Sequence, residues 1–440
     1  MTRLTASAAM IVCLLLALPA TAPAAEKSIW GHSSEPAGAS AFAIYETLGV
    51  DTVQFAINWS TVAPARPAAP TDPADPAYRW PAEIDAAVHA ARRHGMHIAL
   101  MITGAPAWSN GGRASIWAPS DPQDFADFAT AAARRYPPVR RWMIWGEPNF
   151  GVRFMPNAKD DPIGARTYAP ILDAAYGALK RVNAANVVIG GMTWTGGDLR
   201  PAQFIRAMRL PNGRPPRLDW FGHNPFPFRY PDLSKPPLQD FRDISDLDTL
   251  GREVDDAYRG TRSTPVPLWL SEFVIQSDHG SDTFAEFVSR GQQAVWVRAA
   301  YRIADRLGSR VAGLGWLALV DEPPARNSAN WGLLTSTLDR KPAWFAFYSA
   351  PSRRHAARVS MAGTVRARWM RSRGLGVRVR VRTGGRHSVQ LRRRGKIVRV
   401  VRLTRSGTAR LRLRSPRRGL YSVRILSPRG ETQERTLRVR

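Results

Sequence analysis

The sequence predicts an α/β chain in two parts: a (β/α)8 TIM barrel followed by a small antiparallel β-sandwich-like domain. Three observations predict it. Residues 28 to 350 alternate short, mostly unbroken apolar runs with segments of helical periodicity, the pattern of a buried parallel sheet closed by helices. From residue 353 the period changes to two, as in Val377-Arg378-Val379-Arg380-Val381-Arg382, which reads as short antiparallel strands. Charge changes at the same place: of 63 Lys plus Arg and 35 Asp plus Glu, 28 and 2 lie in residues 353–440. The net charge of +28 therefore belongs to the tail. The expected organisation is 1–25 a signal peptide, 26–350 the catalytic barrel and 351–440 an Arg-rich β domain.

The elements follow in order. Arg3 and the apolar run Ala9 to Leu18, ahead of Ala22-Pro23-Ala24, read as a secretory leader, too short to span a membrane. A secreted or envelope-associated protein is expected. The only cysteine, Cys13, lies inside that leader, so the mature chain is expected without disulfide or thiolate metal site. Strands are expected at Ser28–Gly31, Thr52–Asn58, Ile98–Ile102, Trp142–Trp145, Val187–Met192, Leu218–His223, Leu268–Ser271 and Val311–Trp316. Helices are expected at Ala41–Leu48, around Ile84–Ala91, after the Asp121-Pro122 cap, and at Thr167–Ala184, Pro201–Met208, Leu247–Tyr258, Thr283–Leu307 and Lys341–Ser349. The loop Ser60–Pro81 holds six prolines and reads as a wall of a functional face. In the tail, Arg410–Arg414 and Leu437–Arg440 repeat the period-two pattern, with one face Val and Leu and the other arginine.

Two strands end in a glutamate. Trp142-Met143-Ile144-Trp145 runs into Gly146-Glu147-Pro148-Asn149, and Pro267-Leu268-Trp269-Leu270-Ser271 runs into Glu272. The carboxyl ends of barrel strands are where such folds keep their chemistry. Two carboxyl groups facing each other suit hydrolysis of a glycosidic bond. One protonates the departing oxygen; the other attacks the anomeric carbon, with retention when they stand about 5–5.5 Å apart. The acid, Glu147, needs apolar surroundings, for which Trp145 and Pro148 are at hand. Glu272 is expected to stay ionised, held by donors from Trp, His or Asn side chains. Tryptophans at or past strand ends, Trp59, Trp108, Trp117, Trp194 and Trp316, are candidates for stacking on sugar rings, with ordinary core packing as the alternative.

The segment Trp145-Gly146-Glu147-Pro148-Asn149 resembles the acid/base motif of clan-A glycoside hydrolases, most closely family 39 and its neighbours, and Trp269-Leu270-Ser271-Glu272-Phe273 resembles their strand-seven nucleophile motif. Trp220-Phe221-Gly222-His223-Asn224-Pro225-Phe226 is similar to the strand-six segment, and Gly332-Leu333 with Arg340-Lys341-Pro342-Ala343-Trp344 to the ending after strand eight. The resemblance spans about residues 28 to 350. It implies a retaining glycosidase with Glu147 as acid/base and Glu272 as nucleophile, and calls for no metal and no cofactor. Asn58, Trp59, Trp108, Trp145, Asn149, His223, Asn224 and Trp316 are the expected substrate contacts. Three departures stand out. Gly146 replaces the family's Asn, which binds the sugar 2-hydroxyl, so Asn149, Asn58 or Asn224 takes over or the substrate differs there. Phe226 stands where a Tyr often supports the nucleophile, and strand two has no arginine.

The remaining signals have plainer readings. Asp51, Asp85 and Asp219 read as structural, Asp321 and Glu322 as loop charges, and His89, His94 and His97 as solvated surface. His223 is a cleft residue, with a core histidine satisfied by backbone as its rival. The arginine face of residues 353–440 is either a solvated surface or an attachment site for an anionic cell-envelope polymer; the leader argues against a nucleic-acid role. The reading is a secreted retaining glycoside hydrolase acting on an oligo- or polysaccharide. The alternatives are a catalytically weak carbohydrate-binding barrel and a transglycosylase using the same glutamates.

Overall fold

The computed structural model describes residues 25–32, 40–261, 265–282, 284–325, 327–353, 358–380, 386–426 and 432–440. The expected leader, with Arg3, Ala9–Leu18 and Cys13, lies outside the described residues.

Eight parallel strands close into a barrel: β1 (Glu26–Trp30), β2 (Thr52–Asn58), β3 (His97–Thr103), β4 (Arg141–Ile144), β5 (Val187–Trp194), β6 (Trp220–Asn224), β7 (Leu268–Phe273) and β8 (Val311–Trp316), each paired with its neighbours and β8 with β1. The helices after them are α1 (Phe42–Leu48), α2 (Ala82–Arg93), α3 (Pro122–Arg135), α4 (Ile163–Val182), α5 (Pro201–Ala207), α6 (Leu247–Ala257), α7 (Arg290–Leu307) and α8 (Pro342–Ser349). Their starts follow local chemistry. Asp121 accepts from the Gln123 N–H ahead of Pro122, and Ser289 and Gln292 form a capping box. The seventh helix starts later than its sequence pattern predicts, because Gln276–Ser277 and Phe287–Val288 pair first as a two-residue ladder; Thr283 lies outside the described residues.

Side chains alternate between two cores. Val53, Phe55, Trp142, Ile144, Phe221, Leu268, Leu270 and Leu314 pack outward against the helices. Ala99, Met143, Ile189, Met192, Trp269 and Ala312 fill the barrel, with Trp30, Met101 and Trp220 against them. The floor is ionic. Arg141 reaches Glu26 Oε1 at 2.5 Å, Arg353 reaches it at 2.9 Å, and the Thr52 hydroxyl donates to Oε2 at 2.7 Å. Burial opposes the Glu26 charge, yet Arg141 and then Arg353 hold its carboxyl below the usual range. The fully buried Lys27 donates to the carbonyls of Leu48 at 2.8 Å and Phe347 at 2.7 Å. One cation thereby ties the negative ends of the first and last helices together.

The expected structural role of Asp51 and Asp219 matches their contacts. Asp51 accepts from the backbone N–H of Lys27 and Arg353, and Asp219 accepts from Val188 N at 2.8 Å and pairs with Lys180 at 2.7 Å. Asp321 is more than a loop charge: it is buried and paired with the buried Lys341 at 2.9 and 3.1 Å.

Residues 358–440 form two sheets. One orders β9 (Arg358–Met361), β11 (Leu375–Arg380) and β14 (Gly407–Leu411). The other orders β10 (Thr364–Val365), β16 (Thr432–Val439), β15 (Gly419–Leu426), β12 (His387–Arg393) and β13 (Lys396–Leu403). Pairing is antiparallel except between β10 and β16, and the two sheets share a core that includes Val377, Val379, Val389, Leu391, Leu411, Val423, Ile425 and Leu437. A one-turn helix, α9 (Ala367–Ser372), was not legible in the alternating pattern. β13 departs from the clean two-faced reading, since Ile397 and Val398 are exposed on opposite faces of an edge strand. Part of the run Val377–Arg382 lies outside the described residues.

Candidate active site

The site is assembled where the barrel's regular alternation is broken. In β4, Arg141 and Met143 face the axis and Trp142 and Ile144 face the helices, so Trp145 is due to point inward. It does not. Its backbone is left-handed, φ 60°, and its ring lies outside, stacked on Phe125 and edge-on to Phe154. Its indole N–H donates to Arg153 O at 2.9 Å. Glu147 is left-handed as well, φ 51°, and its N–H donates to Met192 O at 3.0 Å. Met192, φ 42°, belongs to an irregularity in β5 where the register against β6 shifts between Gly190 and Thr193. Three non-glycine residues in this region cost of order 1–3 kcal/mol each, and such strain concentrates at functional sites.

β7 shows the complementary device. Leu270 pairs with Leu314 and Phe273 with Trp316, so Ser271 and Glu272 together oppose the single residue Gly315. This is a bulge. Ser271 and Trp269 face inward, and strict alternation would send Glu272 to the helix side. The extra residue re-aims it toward Glu147, whose charge acts on it. Gly315 is required at this point, since a Cβ there would stand 2.3 Å from Ser271 O.

The Asn224 amide fixes the pair. Its Nδ2–H donates to Glu147 Oε1 at 3.0 Å while its Oδ1 accepts from the Ser271 hydroxyl at 2.5 Å, which settles the amide's orientation. Arg153, with 60% of its side chain exposed, places Nε 3.5 Å from Glu147 Oε2. Burial raises the Glu147 carboxyl, against the Asn224 hydrogen bond and the Arg153 charge. Burial pushes Glu272 up to about 8; the Glu147 charge adds to this, and Arg153 opposes it. Among the described residues no donor hydrogen-bonds the Glu272 carboxyl. Both carboxyls are pushed toward their neutral forms, and Glu272, with no donor among the described residues, is less well supported as an anion than Glu147, which accepts from Asn224.

The expected raised Glu147 carboxyl agrees with its burial, whereas the donors expected to keep Glu272 ionised are not on it among the described residues. The donors expected for it are engaged elsewhere. Asn224 serves Glu147, and Trp269 Nε1 donates to Gln54 Oε1 at 3.0 Å. His223 donates from Nε2 to Arg242 O at 2.7 Å and accepts at Nδ1 from Thr193 Oγ1 at 2.8 Å. Burial lowers His223 to about 4, so it is neutral, which favours the satisfied core histidine.

The other expected contacts separate by burial. Asn58 is exposed at the end of β2, where its Oδ1 accepts from Ser60 N and Oγ. Trp108 is partly exposed, with the Arg66 guanidinium 4.4 Å from its ring. Trp59 and Trp145 have no exposed surface. Trp59 sits among Trp108, Phe125 and Phe128, and Trp316 is buried against Phe273 with its N–H on Trp331 O. Asn149 is buried too, donating to the carbonyls of Gly196 and Leu199 and accepting from Trp194 N; it laces the loop after β4 to the loop after β5. Of the asparagines offered as replacements at Gly146, Asn224 is thus the one that touches a catalytic candidate. The Gly146 slot itself is filled by Met101, whose Sδ would stand 2.9 Å from a Cβ there.

Sequence reasoning missed Arg153, Ser271, Met101 and Trp30. Arg153 lies six positions past Glu147 on the same loop, and Ser271 is next to Glu272, so proximity in the chain was an available signal. Trp30 ends β1, partly exposed and packed on the barrel interior, with its indole N–H unpartnered. Among the described residues no group of three or more His, Cys, Asp or Glu is placed to hold a metal ion, and no helix is long and apolar enough to cross a membrane.

No family model matches the chain, and no curated protein matches it in sequence. Solved structures do match in fold. A family 39 glycoside hydrolase from the gut symbiont Bacteroides cellulosilyticus WH2 superposes with a TM-score of 0.56 at 17% identity, covering 87% of this chain and 79% of that one. A glucosidase from Croceicoccus marinus gives 0.52 at 16%, covering 96% of each. A monomeric β-xylosidase from Caulobacter crescentus CB15 gives 0.51 at 13%, covering 90% of this chain and 96% of that one. At such identities the likeness is one of fold, and the fold is the one that the glutamate motifs led us to expect.

Proposed function

We propose that this chain is a secreted retaining glycoside hydrolase that cleaves an O-glycosidic bond in an oligo- or polysaccharide. The observation that carries the reading is the buried pair Glu147 and Glu272 at the ends of β4 and β7, each set by a backbone irregularity and close enough for one charge to act on the other. Glu147 protonates the leaving oxygen as the Glu272 carboxylate attacks the anomeric carbon, breaking the glycosidic bond and forming a glycosyl ester. Glu147 then takes a proton from water, which hydrolyses that ester and returns Glu272. The first step needs the proton on Glu147. Among the described residues Glu272 has no donor, so hydroxyls of the bound sugar supply the hydrogen bonds that support its carboxylate. Three glycosidases of the same fold, two of them a glucosidase and a β-xylosidase by description, support the substrate class.

Substituting each glutamate tests this. Glu147→Gln lowers kcat/KM on unactivated glycosides by about 10²–10⁴ and is partly spared on aryl glycosides with good leaving groups. Glu272→Gln abolishes turnover of both. Proton NMR of the first product shows retained configuration. Inverted product, or equal losses on both substrates in Glu147→Gln, sinks the assignment of roles. A carbohydrate-binding barrel without turnover is the second reading. It is favoured by the Gly146 slot, where Met101 occupies the space of the Asn seen in the motif's relatives; saccharide binding with no hydrolysis of any glycoside in a broad panel would establish it. For residues 351–440 we propose attachment to an anionic envelope polymer, consistent with their excess of 28 basic over 2 acidic side chains from residue 353 onward.

A further inference from the structure

The C-terminal β region contains a recess of about 470 Å3, within the range of small-molecule sites (about 300–1,000 Å3). The exposed Arg366, Arg368, Trp369 and Gly376 line it together with the buried Val365 and Leu375. The local sequence builds it. α9 places Arg368 and Trp369 on one turn and ends at Ser372; beyond it Gly374, φ 76°, donates its N–H to Trp369 O at 3.0 Å. Gly374 and Gly376 add no side chain to its lining, and Val365 and Leu375 are anchored in the sandwich core. Trp369 is 48% exposed, and Arg373 stacks 4.6 Å from its ring, limiting the ring's rotation.

Two features define the ligand. The first is charge: no carboxylate lines the recess, and among the described residues of 358–440 there is no ion pair, so Arg366 and Arg368 are not neutralised there. The second is a single indole. Trp369 and Tyr421 are the only tryptophan, tyrosine or phenylalanine residues from 353 to 440, and Tyr421 is buried. Single-stranded nucleic acid is held by successive stacking platforms along a basic groove; one ring in one recess does not repeat. A ring that presents CH groups to the indole and a carboxylate to a guanidinium fork fits both features.

We propose that this recess binds one uronic-acid unit of an anionic polysaccharide. The inference rests on the polymer-attachment reading above and gives that attachment an address. Trp369 stacks on the pyranose, and Arg366 or Arg368 takes the carboxylate, while the remaining arginines supply a diffuse field along the polymer.

The test uses the full chain and calorimetric titration with a galacturonate hexamer at 0.15 M salt. A neutral maltohexaose and a single-stranded DNA hexamer serve as the other probes. The galacturonate hexamer binds, and any binding of maltohexaose, at the barrel, is insensitive to the substitutions that follow. Trp369→Ala weakens galacturonate binding by about threefold to tenfold, Trp369→Phe restores part of it, and Arg366→Ala with Arg368→Ala weakens it by about tenfold or more. Unchanged circular-dichroism melting shows that each variant is folded. Binding that none of these variants alters overturns the recess and leaves attachment diffuse. DNA binding that is tighter than galacturonate binding and equally sensitive to Trp369→Ala overturns the sugar in favour of a base. No galacturonate binding even at low salt overturns the attachment reading itself.

Discussion

The barrel and the C-terminal sheets use the same basic residues for opposite ends. Inside the barrel region, cations are matched: Arg141 and Arg353 to Glu26, Lys341 to Asp321, Arg242 to Glu253, Arg310 to Asp255. Several of these pairs are buried, where an unmatched charge is strongly disfavoured. In the C-terminal sheets the arginines stand on exposed faces above a core of Val, Leu and Ile, and no described one is ion-paired. The difference teaches that charge in the first region helps to specify the fold, whereas in the second it is displayed. Removing a cation should be costly to stability in one and nearly neutral in the other.

The largest expected effect is at Lys341, which is fully buried. Lys341→Ala leaves the Asp321 carboxyl buried without its cation and destabilises the fold by about 3–5 kcal/mol, read by urea denaturation. Lys341→Met with Asp321→Leu loses less, because neither charge is then left alone. A loss under about 1 kcal/mol in Lys341→Ala would erase the contrast between the regions.

A middle effect comes from a barrel carboxyl that no described donor or cation holds directly. Glu272, raised to about 8 from an ordinary 4.5, keeps in the folded state a proton that the unfolded chain releases. Stability therefore falls as pH rises from about 4.5 to about 8. Glu272→Gln removes that dependence, so its Tm exceeds the wild-type value most clearly above pH 8. The same ionisation ends activity: kcat/KM declines on the alkaline side with an apparent pKa near 8, as the pair loses its last proton. A wild-type Tm that does not fall relative to the variant across this window contradicts the proton on Glu272.

The smallest stability effect is expected on β13. Arg399→Ala and Arg402→Ala, both exposed, change unfolding free energy by no more than about 0.5 kcal/mol. They still weaken retention on polygalacturonate at low salt and not at high salt, as screened surface charge requires. A large stability loss here would place these arginines in the fold after all.

Much of this was legible in the chain. Thr52–Asn58 and Val311–Trp316 form strands at the limits their sequences indicate; the second is fully buried, an apolar run between turns, and the first is mostly so, with Val53, Phe55 and Ile57 buried. Both glutamates stood out because a charge at the end of such a run has few structural uses. Other signals misled for a common reason. Trp59 follows β2 and Trp316 ends β8, as platform residues would, yet both rings are buried in the core shared with the helices. Asn149 stands beside the glutamate motif, yet it holds two loops together. Nothing local distinguishes these outcomes. Each depends on partners far along the chain, as with Asn149 and Gly196, 47 positions apart.

The sequence alone determined the division into a charge-balanced α/β barrel and an arginine-faced β unit, along with the two carboxylates at strand ends. These rest on periodicity and composition, which are properties of neighbouring residues. Only the tertiary structure decided how the two carboxyls are served by donors. That turns on Asn224, 77 positions from Glu147, donating to it rather than to Glu272, and on a bulge opposite Gly315 that no pattern within β7 announces. Proton affinity in a buried pair is set by the donors and charges that folding brings within reach, and those come from strands remote in the chain.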